Sequence, residues 1–486
     1  MSSVDPRRII VGVMLVLLLG ALNQTIVAVA LPRIAESLQG FGLIAWVISA
    51  YMVAATVVTP VYGKLCDRHG VRVVLLGALG LFAAGSLGCA LSTSMPMLIA
   101  FRVLQGVGGG GLMSSAQAAI SQAVSLRERG RFQAYISSTF ATASVLGPLA
   151  GGWLTERLSW EWVFAANLPL AAAAYLSTHH ALRPLPVPGR QRRIDGAGAG
   201  LLSLGLTALL IAITRAGQGL PWLDATNVGW LAASVALLAG YGWRERGADD
   251  PVLPLPLLRH RIVSLGLASQ FVAHGLFVTL AVMVPLELQL VSDMSPAAAA
   301  TQLIALSVGP PIGSFFAGRT MARTGRYRTM QSVGAVIGSS CVLGLAATVA
   351  LQAPHAWALA LLTGAGVGFG LQFPTTLVAV QNAAPPESVG TAIAAVNFSR
   401  SLGGALWIAL LSTVLLELLR ANAPGLAGGG GAEVLRALTD AGGGTLRDEL
   451  RPAAQRAFVW VFALIGAGCG LALALYRAAP ERPLRT

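Results

Sequence analysis

Apolar runs of about 18 residues or more recur along the chain, separated by short charged or turn-forming breaks. Their approximate limits are 9–31, 43–63, 72–92, 97–121, 133–153, 161–182, 195–215, 227–243, 262–290, 297–317, 330–351, 356–380, 391–416 and 455–476. A helix needs about 20 apolar residues to cross the hydrocarbon of a bilayer, so the pattern predicts about fourteen membrane helices and an all-α membrane protein. The first run, Ile9 to Leu31, is too long for the core of a signal peptide and reads as helix 1.

Two of the breaks repeat. "GKLCDRHGVR" at 63–72 and "GRTMARTGRYR" at 318–328 align Gly63 with Gly318, Arg68 with Arg323 and Gly70 with Gly325. Each follows the second helix of a group of six, which divides the chain into a six-helix bundle at 1–182, linkers with an inserted helix pair at 183–261, and a second six-helix bundle at 262–486. Two such bundles related by a parallel repeat are the layout of a large class of secondary transporters, with the substrate site between them near the midplane. The outer segment 418–454 carries glycine clusters around "AEVLRALTDA". It reads as a flexible loop, with a lid on the outer vestibule as the alternative.

Composition narrows the class further. At 55% hydrophobic and 11% charged residues, with a mean hydropathy of +0.70, the chain is too apolar for a soluble globular protein of 486 residues. The formal charge of +13 raises the possibility of nucleic-acid binding, but the basic residues are scattered between apolar runs rather than gathered on one face. Most of them fall on alternate breaks. By the positive-inside rule both termini are then cytoplasmic, in a cytoplasmic (inner) membrane. Cys66, Cys89, Cys341 and Cys469 lie far apart in or beside apolar runs and read as packing residues. With no nucleotide loop, metal cluster or nucleophile constellation, the expectation is neither an enzyme nor a cofactor protein.

Four motifs stand in order along the chain: "LNQTIVAVALP" in helix 1, "GKLCDRHGVRVVLL" after helix 2, "RVLQG" early in helix 4 and "GPLAGG" in helix 5. Together they resemble the signature set of the major facilitator superfamily, in particular its fourteen-helix drug:proton antiporters. "WVISAYMVAATVVTPVYGKL" and "PPESVGTAIAAVNFSRSLGGAL" extend the similarity over both halves. The resemblance implies proton-coupled efflux of amphipathic small molecules or drugs by alternating access, driven by the transmembrane proton gradient. Its expected partners are the substrate and membrane lipids, with no nucleic acid and a monomeric chain. Two other readings stay open: an exporter of an anionic metabolite or lipid not coupled through helix 1, and a non-transporting membrane sensor or assembly subunit with the same fold.

The motifs also have a physical content. In the break after helix 2, Gly63 and Gly70 permit tight turning and close helix approach, and Asp67, with Arg68 and Arg72, is suited to a latch between the halves, facing a helix N-terminus or an arginine. The second copy has Ala322 where Asp67 stands, so the latch reads as one-sided, with Arg323 as its basic counterpart. Gly147, Pro148, Gly151 and Gly152 give helix 5 a small-residue face, and the resemblance ties this stretch to export, although Ala134 and Ala143 replace glycines of the longer pattern. Gly106, Gly108 and Gly111 satisfy the spacing of a dinucleotide fingerprint. They follow no strand and lie inside a membrane span, so they read as close helix packing.

Polar residues deep in apolar runs mark the candidate substrate and proton pathway: Asn23 and Gln24 in helix 1, Arg102 and Gln105 in helix 4, His274 and Glu287 in helix 9. Asn23 and Arg102 lie at depths differing by only about 5 Å at 1.5 Å rise per residue, within reach of each other. Related antiporters carry Asp at the position of Asn23, and Asn does not titrate. Either another acid carries the proton, or transport is not proton-driven, or a deliberate Asp-to-Asn change mimics the protonated state. Glu287 and His274 are the remaining titratable candidates, about 140° apart around their helix and so not both facing the cavity squarely. Each also has a structural reading, an interfacial Glu and a His bonded to a neighbouring helix. Arg400 in "NFSRSLGG" resembles an arginine common at that place in the family and suggests an inter-half or gating role.

Overall fold

In the computed structural model, the described residues are 6–40, 43–185, 195–217, 220–247, 251–252, 255–422 and 445–484. They are almost wholly helical. The helices are α1 Pro6–Ser37, α2 Ile44–His69, α3 Val71–Ala90, α4 Met95–Ala123, α5 Leu126–Arg157, α6 Glu161–Ala165, α7 Asn167–Ala181, α8 Gly196–Gly217, α9 Ala225–Glu245 and α10 Leu255–Arg259. The chain continues with α11 Arg261–Leu290, α12 Pro296–Thr324, α13 Arg328–Ala350, α14 His355–Ala383, α15 Val389–Asn422 and α16 Thr445–Ala478.

Ten of the described helices are long and apolar enough to cross a membrane: α1, α2, α3, α4, α8, α11, α13, α14, α15 and α16. The other four expected spans fall on helices of a different kind. The span expected at 161–182 is broken at Ala166 into α6 and α7. α5 and α12 are long but rich in Ser, Thr, Gly and Pro, and pack against each other. α9 packs along α8. The expected outer segment 418–454 is shorter than the sequence suggests, because α15 runs on to Asn422 and α16 begins at Thr445; residues 423–444, and residues 186–194 of the expected linker, lie outside the described part.

Local chemistry sets the helix boundaries. Ser94 and Ser295 cap α4 and α12 by accepting from Met97 N and Ala298 N, each ahead of a proline in the first turn. The two repeated breaks turn on glycine: Gly70, between α2 and α3, has φ 82°, and Gly325, between α12 and α13, has φ 68°. A side chain is strained there, which accounts for glycine at the same place in both copies.

Packing follows two groups. α1 to α7 contact one another, α11 to α16 contact one another, and the groups meet along α2–α15 and α5–α12. The pair α8–α9 rests on α2 and α15, beside that seam. At the end of the molecule that holds Gly70, one apolar cluster runs through both groups, joining Tyr62, Leu75 and Ile120 to Leu377, Val380 and Ile393. At the opposite end the groups have separate cores, one around Ile34, Val47 and Phe164, the other around Leu288, Phe458 and Val461. The protein is therefore closed by apolar packing at the Gly70 end. The segment 479–484 lies under the same end: the Glu481 carboxylate accepts from the backbone N–H groups of Tyr327 and Arg328 at the start of α13, each at 3.2 Å, and buried Leu484 donates its N–H to the Gly325 carbonyl.

Candidate functional site

Asn23, Gln24 and Thr25 are consecutive on a helix, so they point about 100° apart and meet three different environments. Asn23 is buried toward α4 and α7. Its Oδ1 accepts from Gln105 Nε2 at 3.0 Å and from Asn167 Nδ2 at 3.2 Å, while its own Nδ2 has no partner among the described residues. Gln24 is exposed, and an added Cβ on Gly20, one turn before it, would meet nothing within 4 Å. Thr25 turns to α5, where its hydroxyl donates to the Ala143 carbonyl at 3.0 Å.

Arg102 and Asn23 do not touch. Gln105 stands between them, one turn along α4: its Oε1 accepts from Arg102 Nη1 at 2.5 Å, and its Nε2 donates to Asn23 and, at 2.7 Å, to Ser86 Oγ. Arg102 also donates Nε to the Val47 carbonyl at 2.8 Å, with its guanidinium 4.3 Å from the centre of the Tyr51 ring and 5.9 Å from that of Phe164. A buried guanidinium is costly unless hydrogen-bonded and stacked. Neutral oxygens and two π faces serve Arg102 here, and no carboxylate takes part. The glycine run explains how α4 comes close enough: Cβ atoms on Gly106, Gly108 and Gly110 would meet backbone atoms of α2 or α3. Gly106, Gly108 and Gly111 pack closely against α2 and α3.

The second group holds a different arrangement. His274 on α11 and Arg400 on α15 are each half-buried, and Arg400 Nε donates to His274 Nδ1 at 3.4 Å. The guanidinium lies 5.1 Å from the centre of the Phe373 ring. Phe373 packs on His274, Phe277 and Phe369 with centroid separations of 5.3, 5.6 and 6.0 Å. Gln270, on the same helix face as His274, is fully buried and holds the Phe373 carbonyl at 3.1 Å. Glu287 is buried near the far end of α11, where Ser292 Oγ donates to it at 3.5 Å. Among the described residues, Glu245 and Glu287 are the buried carboxylates.

The closed end is tied by polar contacts between the groups. Asp67, at the end of α2, accepts from Gly390 N, Thr391 N and Thr391 Oγ1, each at 2.7 Å. Its carboxylate thus caps the N-terminus of α15, where free N–H groups and the helix dipole favour negative charge. The backbones come close to make this possible: a Cβ on Gly63 would lie 2.8 Å from the Gly390 carbonyl oxygen, and one on Gly390 would lie 2.5 Å from Asp67 Oδ1. Arg129 reaches Gln381 at 2.9 Å, Asn397 reaches Gln117 at 3.1 Å, and Ser137 and Ser314 pair at 2.9 Å. The other residues singled out in the breaks lie elsewhere. Arg72 binds the carbonyl and ring of His179 on α7, inside its own group, and Arg323 is exposed. Gly147 and Gly151 abut Thr25 and Ile26 of α1, with Gly152 at the edge of the same contact and Pro148 exposed between them.

Several of these participants went unmarked in the sequence reading. Asn167, Gln117, Asn397 and Arg129 each carry a signal of the kind that picked out Asn23, a polar group within or at the edge of an apolar run. Gly390 and Thr391 contribute backbone N–H groups, which no side-chain pattern announces.

Membrane-spanning helices in two groups, with polar side chains gathered inside the bundle and a polar seam between the groups, define an integral membrane protein of two packed helix bundles. The chain belongs to the Major Facilitator Superfamily, whose family model matches residues 13–408. An uncharacterised transporter of the superfamily from Mycobacterium tuberculosis is 32% identical over 419 residues, covering 86% of this chain and 61% of its own length. The chain thus spans about three-fifths of that relative. The multidrug transporter protein MdtP of Bacillus subtilis is 30% identical over 412 residues, covering 84% of this chain and 75% of its own. Among solved structures, the proton:xylose symporter XylE bound to 6-bromo-6-deoxy-D-glucose matches with a TM-score of 0.66 at 14% identity, over 100% of this chain and 98% of that one. At that identity the likeness concerns the fold.

Proposed function

We propose that the protein exports amphipathic small molecules, drugs among them, from the cytoplasm by alternating access of its two helix groups, and draws on the transmembrane proton gradient. The observation that carries this reading is the latch. Asp67 holds the N-terminus of α15 across the seam at an end closed by apolar packing, so releasing three hydrogen bonds and one apolar cluster opens that end, while polar side chains at mid-depth remain in place. Similarity to a multidrug transporter supports drugs as substrates.

In this reading the closed end faces the cytoplasm, with both termini there, in an inner membrane, as the positive-inside rule supports. In this reading α5, the broken pair α6–α7, α9 and α12 also cross the bilayer, giving fourteen spans and membership of the fourteen-helix antiporter branch. Residues 1–182 and 262–486 are then the two bundles, and α8–α9 within 183–261 is the inserted pair, supported by its packing beside the seam. The chain works as a monomer among lipids, without a bound cofactor. Since the α1–α4 network around Asn23 contains no acid, the coupling role falls to Glu287.

Proteoliposomes test the reading. Loaded with ethidium or a fluorescent aryl carboxylate, they should accumulate or release dye faster under an imposed pH gradient than without one, and Glu287→Gln should remove that acceleration while dye still binds. A protein that moves neither dye, with or without a gradient, is not an exporter of this kind.

A further inference from the structure

Arg102 and Arg400 both lie well inside membrane-spanning helices, and they are treated differently. Arg102 is enclosed, bonded through Nε and Nη1 and stacked between two rings. Arg400 is half-buried, and its contacts are one bond of 3.4 Å from Nε to His274 and the face of Phe373. Its two terminal nitrogens have no acceptor among the described residues, and no carboxylate lies within ion-pair distance. A permanent cation at this depth must be hydrated or matched by an anion.

The neighbouring groups are donors as well. Because His274 Nδ1 accepts from Arg400, the neutral ring carries its hydrogen on Nε2, which has no partner among the described residues. Two turns along α15 on the face of Arg400, the indole of Trp407 lies against Gly275, the residue after His274, and its buried Nε1–H is unpartnered. Phe277 is half-buried beside these donors, and the buried rings of Phe369 and Phe373 pack behind it. Donors without a matching negative charge, next to three rings, describe a complement to a flat aromatic group bearing a carboxylate or sulfonate.

We propose that Arg400, His274 and Trp407, with Phe277 and the rim of Phe373 backed by Phe369, form a subsite for amphipathic organic anions, the anionic group on Arg400 and the aromatic body against Phe277 and Phe373. The proposal rests on the export reading and specifies its substrate class. It also gives the unpaired guanidinium a partner that arrives and leaves, which a fixed carboxylate could not do. An anion released outward leaves Arg400 to water or to the next substrate.

Binding to the purified protein in nanodiscs tests this with two probes that share a ring and differ in charge, 2-naphthoate and 2-naphthylmethylammonium, titrated calorimetrically. Naphthoate should bind about tenfold more tightly than the ammonium. Arg400→Gln should weaken naphthoate by about tenfold or more and leave the ammonium unchanged or improved, whereas Arg400→Lys, which keeps the charge and controls for folding, should remain within about fivefold of the parent. Phe373→Leu should weaken both probes by about threefold through lost ring contact. Equal affinity for the two probes, no naphthoate binding at millimolar concentration, or naphthoate affinity indifferent to Arg400→Gln overturns the subsite. The export reading is judged separately by dye transport: an ethidium-transporting protein whose naphthoate binding ignores Arg400 keeps that reading and loses the subsite, and a protein that binds naphthoate through Arg400 but moves no dye does the reverse.

Discussion

Asp67 takes both the backbone N–H and the hydroxyl of Thr391, each at 2.7 Å, and so joins the last turn of α2 to the first turn of α15 across 324 positions of sequence. Asp67→Asn keeps the shape but turns one acceptor oxygen into a donor facing N–H groups. The mismatch costs about 1–3 kcal/mol in the closed state and nothing when the ends are apart, so the balance should move about 5- to 150-fold toward opening at this end. Transport should fall while ligand affinity in detergent stays within about threefold. Unchanged transport in the variant would remove the latch.

The proposed orientation has a direct check. In a cysteine-free background, a cysteine at Arg323 should react with an impermeant maleimide only from the cytoplasmic side, and one at Leu351, in the turn at the other end of α13, only from outside. Labelling of both from one side of sealed cells would contradict α13 as a complete span.

Asn23→Asp places a carboxylate where Gln105 and Asn167 already donate and where the amide Nδ2 now has no partner. Those donors favour the ionised form and burial opposes it, so the sign of the net shift is left to measurement. The variant should make transport more strongly pH-dependent than in the parent and release additional protons on substrate binding. Gln105→Leu in the same background should change that titration, because it removes the bridge to Arg102. A variant with the pH profile and proton release of the parent would show that this position carries no coupling role even when acidic.

Gly147→Val tests the α1–α5 contact. Its Cβ would overlap the Thr25 side chain, and one turn later Gly151 already abuts the Ile26 carbonyl, so two successive turns of α5 press on α1. Overpacking of this kind costs about 1–3 kcal/mol, expected as a clear fall in the midpoint of thermal unfolding in detergent. Gly152→Ala, with only Val29 at 3.9 Å, should be tolerated and serves as the control.

The apolar runs made the helices legible, because crossing a bilayer imposes length and composition on each segment alone. Gly70 and Gly325 were legible for a similar reason, since a tight turn between helices demands glycine at one place. Partners were not. Depth along two helices put Asn23 and Arg102 within reach, but the azimuth of each helix decided that Gln105 would stand between them. Arg400 could be recognised as a cation inside an apolar run from its position, yet its pairing with His274 depends on how α11 and α15 rotate against each other, which the sequence spacing of 126 residues does not encode.

The network around Arg102 contains a guanidinium, amides, a hydroxyl, a backbone carbonyl and two rings, none of which gains or loses a proton near neutral pH. Its charge is a constant of the cycle. If a proton enters through Glu287 while an organic anion leaves through Arg400, both movements carry positive charge inward, so each turnover transfers two elementary charges. Across an inside-negative membrane that is worth about 4.6 kcal/mol per 100 mV, before any pH difference contributes. Pumping would then be read most directly as an electrical current, large for anionic substrates, halved for neutral ones, and cancelled when a monovalent cation leaves in exchange for a proton.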